Sequence, residues 1–127
     1  MKLTKSELEI MNVLWKAERP LTRSDILTLS ANKSWKDNSI HILLNGLLKK
    51  EAIREDGFAR SGKVWGRLYA SNISIDDYYE ENVFSQSGAD AIPLLFAAML
   101  KRQDLTLEMV EQMRGLLDAK QKELEKK

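Results

Sequence analysis

Between Ser34 and Lys50 the chain reads SWKDNSIHILLNGLLKK, and its apolar positions recur at helical spacing. Ile40, Leu43, Leu44, Leu47 and Leu48 fall on one face of a helix, which predicts a buried stripe. The opposite face carries Asn38, Ser39, His41 and Asn45, with Gly46 beside them. The start of this helix is left open among Ser34, Lys36 and Asp37, and Asp37 near its N-terminus suits the helix dipole.

Two earlier helices announce themselves by their caps. Thr4 and Glu7 form a T-x-x-E capping box, flanked by Leu3 and Leu8 at the positions of a hydrophobic staple. The pattern predicts a helix from Thr4 to Ala17 that buries Leu8, Met11, Leu14 and Trp15. Arg19-Pro20 ends it, because the residue before a proline is driven out of the α region. Thr22 repeats the device with Asp25, Leu21 and Ile26, and predicts a short helix from Thr22 to Ser30. A loop over 31–33 follows.

Beyond Lys50 the period changes. Ala52 to Glu55 reads as a short strand, and Val64 to Tyr69 as a second with Val64, Leu68 and Tyr69 as β-formers and Trp65 facing the other way. Asp56-Gly57 and Ser61-Gly62 are turn signals, so a hairpin with a long tip from Asp56 to Lys63 is expected. The remainder reads as helical. Ser74 opens a helix with Tyr78, Tyr79 and Val83, and Gly88 breaks it. Pro93 marks the first turn of a helix that runs to about Arg102. Thr106 caps a last helix with an apolar stripe at Val110, Met113, Leu116, Leu117 and Leu124.

Three helices followed by a hairpin is the plan of a winged helix-turn-helix. The expected fold is therefore mainly α with a small β-hairpin: a winged-helix DNA-binding domain over 1–72 and a helical dimerisation domain over 73–127. In that plan the later helix enters the DNA major groove. Asn38 and Asn45 match adenine N6 and N7, Ser39 suits several bases, and Ile42 suits a thymine methyl, with His41 on the same face. Lys36, Lys49, Arg60, Lys63 and Arg67 are expected on phosphates, which position a protein without specifying sequence. Polar residues opposite a leucine stripe are also what any surface helix carries, and a winged-helix protein-interaction module without DNA binding is the alternative.

Charge changes the picture in favour of DNA. The formal net charge is only +1, but residues 1–70 hold 13 basic and 8 acidic side chains, net +5. Residues 71–127 hold 7 and 11, net −4. A basic half suits a polyanion and an acidic half does not. Composition excludes several other classes. Charged residues at 31% and hydrophobic ones at 43% fit a globular protein rather than a disordered one. No apolar run approaches the roughly 20 residues of a membrane span, and no signal peptide is expected at the N-terminus. Cysteine is absent and there is one histidine, so thiolate metal sites and Cys-His pairs cannot be built. No enzyme, metal or cofactor is expected, and the location expected is cytoplasmic.

Three segments, LTKSELEIMNVLW, SWKDNSIHILLNGLLKKEAI and VWGRLYASNISIDDYYE, resemble in the same order the penicillinase repressor family, which includes methicillin-resistance and copper-responsive repressors. The resemblance implies a dimeric repressor of a palindromic operator, in which a C-terminal helical domain pairs the two copies. The dimer contacts it implies here are Ile92, Leu95, Phe96, Met99, Val110, Met113, Leu116 and Leu117. It also implies regulation of antibiotic-resistance genes and a membrane sensor protease as a further partner. There are departures. The family usually carries a Thr and a basic residue on the outer face of the reading helix, and an Arg late in it. The matching positions here are Asn38, Ser39, Ile42 and Gly46. The Asn-Phe bond cleaved in the penicillinase branch is replaced by Ala98-Met99, and the cysteines of the copper branch are missing.

Overall fold

The computed structural model describes residues 1–127, the Ser61 side chain excepted. Its contacts divide the chain into two compact units, Met1–Gln86 and Ser87–Lys127. The first unit contains α1 (Lys5–Ala17), β1 (Leu21–Thr22), α2 (Arg23–Leu29), α3 (Ile40–Lys49), β2 (Ile53–Ser61), β3 (Val64–Ser71) and α4 (Ile75–Asn82). This is a winged helix: three helices packed on a small antiparallel sheet of strand order β1-β3-β2.

The two predicted capping boxes are both closed. Thr4 accepts from the Glu7 N–H at 3.2 Å, and the Glu7 carboxylate accepts from the Thr4 N–H at 2.9 Å. Thr22 and Asp25 do the same at 3.1 Å in each direction. The buried stripe of α1 differs from the expected one. Ile10, Met11 and Leu14 are buried together with Glu7, while Leu8 and Trp15 are only half-buried. The stripe is rotated because Glu7, a polar residue, is turned inward and held there by polar partners, which removes the penalty for burying it.

Ile10, Met11, Leu14, Leu21, Ile26, Ile40, Leu44, Leu47 and Ile53 make one core shared by all the elements from α1 to β2. Trp35 closes its edge. The entry to α3 resolves the choice among Ser34, Lys36 and Asp37. A 3-10 turn over Asp37–Ser39 precedes α3, with Lys36 at its N-cap. Ser34 instead bonds α1, its hydroxyl donating to Glu9 at 2.6 Å. Asn38 and Ser39 therefore stand in the turn ahead of the helix rather than on its body.

The hairpin corrects the expected strand bounds. β2 runs to Ser61, and Ser61 pairs with Val64, so the tip is the two-residue loop Gly62-Lys63 rather than eight residues. Gly62 has φ 67°, the conformation that glycine supplies in a tight hairpin turn. Asp56-Gly57 does not turn the chain. Glu55 pairs with Tyr69 and Phe58 with Arg67, so β2 carries one residue more than β3 over that interval. This is a β-bulge, with Gly57 at φ 86° supplying its left-handed residue. The short strand β1 was not predicted; Leu21 pairs with Tyr69 and Thr22 with Leu68.

The boundary expected between residues 72 and 73 precedes α4. Tyr78 is buried, and its ring lies 5.8 Å from that of Trp15. The Trp15 Nε1–H donates to the Ile73 carbonyl at 2.8 Å, fastening the segment before α4 to α1. The second unit holds α5 (Ile92–Leu100) and α6 (Leu107–Glu125). Pro93 lies in the first turn of α5, and Thr106 caps α6 by accepting from the Met109 N–H at 3.1 Å. No single helix is long and apolar enough to cross a membrane.

Candidate nucleic-acid interface

α3 turns Ile40, Leu44 and Leu47 into the core, so its opposite face must look outward. His41, Ile42, Asn45 and Lys49 are exposed there, and Ile42 retains 75% of its accessible surface. Lys36 and Asn38 are exposed in the approach to the helix, and Ser39 is half-buried. The sequence-predicted reading residues are thus gathered on one side of the unit, with the 3-10 turn displacing Asn38 and Ser39 to the helix entrance.

Gly46 does not belong to that outer face. A Cβ built on it would stand 2.8 Å from Glu7 Oε2. The glycine faces α1 and leaves space for a buried carboxylate. The departure from the family pattern at this position is therefore a packing device between two helices, and a side chain here would meet Glu7 rather than a ligand.

Beside α3 the hairpin and the start of α2 complete a concave surface of about 430 Å³. Arg23, Ser24, His41, Asn45, Trp65 and Arg67 line it. The Arg23 guanidinium donates to a ring nitrogen of His41, which ties the first turn of α2 to α3. Arg67 is held by Glu55 at 2.7 Å. Arg60 and Lys63 are exposed, Arg60 on β2 and Lys63 in the tip. Sequence reasoning missed Arg23 and Trp65. Thr22 signalled a helix start, but only the pairing of β1 with β3 brings the next residue, Arg23, to the edge of α3.

Electrostatics support the fold more than the interface. Burial pushes the Glu7 carboxyl up. The hydrogen bond from Lys50, the Thr4 N–H and the Lys50 charge together outweigh that, and its pKa lies below the ordinary carboxylate value. Among the described residues no group of three or more His, Asp or Glu could hold a metal ion.

A family model for the penicillinase repressor matches residues 3–119. The chain belongs to the penicillinase repressor family. The penicillinase repressor of Bacillus licheniformis is 33% identical over 79 residues, which covers 62% of this chain and 58% of that protein. The chain thus matches less than two thirds of that relative's length. Among solved structures, the solution structure of the Bacillus licheniformis BlaI monomeric form in complex with the blaP half-operator is 29% identical. The match covers 61% of this chain and 89% of that one, with a TM-score of 0.44. The adhesin competence repressor of Streptococcus pyogenes is 13% identical over 98% of this chain and 82% of its own, also with a TM-score of 0.44.

The second unit presents a different surface. α5 reads IPLLFAAML and is apolar on every side, a pattern that belongs in a core. Yet none of the residues described in this unit is buried. Ile92 is 64% exposed, Leu116 72% and Leu117 53%. Leu95 and Met99 are also exposed, and Phe96, Val110 and Met113 are half-buried. Leu94 and Leu107, which the sequence reading did not single out, are 72% and 85% exposed.

Proposed function

We propose that this protein is a transcriptional repressor that binds a palindromic operator as a homodimer. Its first unit would bind one half-site, and α5 and α6 would pair the two copies. The observation that carries the reading is the placement of His41, Ile42 and Asn45 on the open face of α3, next to Arg23 and Arg67. Membership of the penicillinase repressor family and 33% identity over 79 residues to a penicillinase repressor support it.

The roles follow from chemistry. Asn38, Ser39 and Asn45 offer paired donors and acceptors to base edges, and Ile42 an apolar contact to a thymine methyl. Lys36, Lys49, Arg60, Lys63 and Arg67 serve phosphates, and Arg23 joins them. A two-fold dimer on a palindrome doubles the few contacts that one small module makes. The protein acts by occupying DNA, without an enzymatic step, and works in the cytoplasm where that DNA is. Ala98-Met99 lies on α5 in place of the Asn-Phe pair, which speaks against inactivation by cleavage at that bond.

A protein-interaction role for the winged helix is the second reading, favoured by the exposure of Ile42. Fluorescence anisotropy separates the two. The protein is titrated onto a labelled duplex from upstream of its own gene and onto a scrambled duplex, at two salt concentrations. Salt-sensitive binding that prefers the upstream duplex is expected. Equal or absent binding to both favours the second reading.

A further inference from the structure

The bulge in β2 has a consequence for the wing. Cross-strand partners place their side chains on the same face of a ribbon. Phe58 pairs with Arg67 and Arg60 with Trp65, so these four share one face with Glu55 and Tyr69. A regular strand would have sent Phe58 and Arg60 to the other side, because a shift of one residue reverses every side chain. The extra residue at Asp56-Gly57 therefore assembles a face in which two aromatic rings alternate with two guanidinium groups.

That face is open. Trp65 is 65% exposed and Phe58 63%. Rings of this size bury a large area when they find a partner, and an apolar patch rimmed by charge marks an interaction surface. Charge identifies the partner. Glu55 and Asp56 are engaged by Arg67 and Arg54. Arg60 and Lys63 have no ion pair among the described residues. Trp65 and Arg67 also line the concavity that holds His41 and Asn45. The face is thus cationic, aromatic and continuous with the open side of α3.

We propose that Trp65 and Phe58 form an apolar contact with the deoxyribose and base edges of the minor groove beside the half-site, with Arg60 and Lys63 on the flanking phosphates. The inference rests on the reading of this chain as a duplex-binding repressor. A helix in the major groove leaves the element next to it over the adjoining minor groove, where apolar side chains are used as wedges. Trp65 then contributes affinity that does not depend on charge.

The test compares the full chain with Trp65→Ala and Trp65→Phe by anisotropy on the upstream duplex over a range of salt. Trp65→Ala is expected to bind roughly tenfold more weakly with the salt slope unchanged, and Trp65→Phe to bind close to wild type. Tryptophan emission of the wild type should change on adding duplex, and this change should be absent in Trp65→Phe, which keeps Trp15 and Trp35. Wild-type affinity in Trp65→Ala overturns the contact and leaves the repressor reading intact. A loss accompanied by a flatter salt slope also overturns it, since the residue would then be acting through the cations. Failure of the wild type to bind any duplex overturns both.

Discussion

The Glu7 carboxylate occupies the space that a side chain on Gly46 would need, with Oε2 2.8 Å from the position of a Cβ. The carboxylate cannot swing away cheaply. It is 4% exposed, accepts from the Thr4 N–H at 2.9 Å and is paired with Lys50. Glycine in a helix interior costs about 1 kcal/mol relative to alanine, and the structure accepts that cost to seat the ion pair. Gly46→Ala should therefore fail to deliver its propensity gain and destabilise the fold by about 1 kcal/mol as donors are displaced. In a Glu7→Ala background the same change should stabilise by up to about 1 kcal/mol. Urea denaturation of the four proteins gives the coupling directly. Additive effects would mean that the two residues do not compete for the space.

The same carboxylate sets a pH dependence. Its pKa is lowered in the folded state, despite burial, by Lys50 and the Thr4 N–H. A lowered folded-state value means that the contribution is present above the ordinary carboxylate range and is lost as pH falls through the folded value. The difference in urea midpoint between wild type and Glu7→Gln should be largest near pH 7 and shrink as pH falls below the ordinary carboxylate range. A difference that stays constant over that interval would show that the charge contributes nothing.

What was legible in the sequence was local. Thr4 with Glu7, Thr22 with Asp25, Ser74 and Thr106 all cap the helices they were expected to cap, because a cap and the N–H it accepts from lie within three residues. The stripe of α3 was legible for the same reason. The misreadings came where a residue answers to something distant. Asp56-Gly57 has the chemistry of a turn, but a bulge needs the same left-handed glycine, and only the register with β3 tells them apart. Two residues, Leu21 and Thr22, are too few to show a period, so β1 was invisible. Gly46 was placed on the outer face because its reason for being glycine lies on α1. Arg23 and Trp65 join His41 and Asn45 only through the sheet.

Arg60 and Lys63 give the proposal an electrostatic test. Both are exposed on the wing without an ion pair among the described residues. Changing both to alanine should weaken binding to every duplex alike and lower the slope of log affinity against log salt by about 2. Stability should be unaffected, since neither supports the core. An unchanged slope would take the wing tip off the phosphate backbone.

Asn38, Ser39 and Asn45 should carry discrimination instead of bulk affinity. Single alanine variants are expected to lose about 1–3 kcal/mol of preference for the operator at one base pair each while keeping the salt slope. Competition between upstream and scrambled duplexes measures this. The 3-10 turn makes a distinction within the set. Asn45 stands on the body of α3, whereas Asn38 and Ser39 stand at its entrance. Asn45→Ala should also leave folding intact, because the side chain is exposed. Retained discrimination in all three variants would move sequence reading elsewhere on the unit.

The exposed apolar surface of the second unit is where the proposed homodimer would form. α5 has no polar face with which to meet water, and Leu116 and Leu117 of α6 remain more than half exposed. Leu95→Glu and Leu116→Glu each place a charge where an apolar contact is proposed. Burying an unpaired carboxylate costs several kcal/mol, enough to dissociate a micromolar dimer, for which about 8 kcal/mol is available. Sedimentation at micromolar concentration should show the wild type at twice the chain mass and both variants at the single-chain mass. The variants should still bind a half-site duplex with wild-type affinity, because the winged helix is a separate compact unit, but lose the added affinity of a full palindrome. A wild-type protein that sediments as a monomer would remove the dimer, and with it the geometric reason for expecting a palindrome at all.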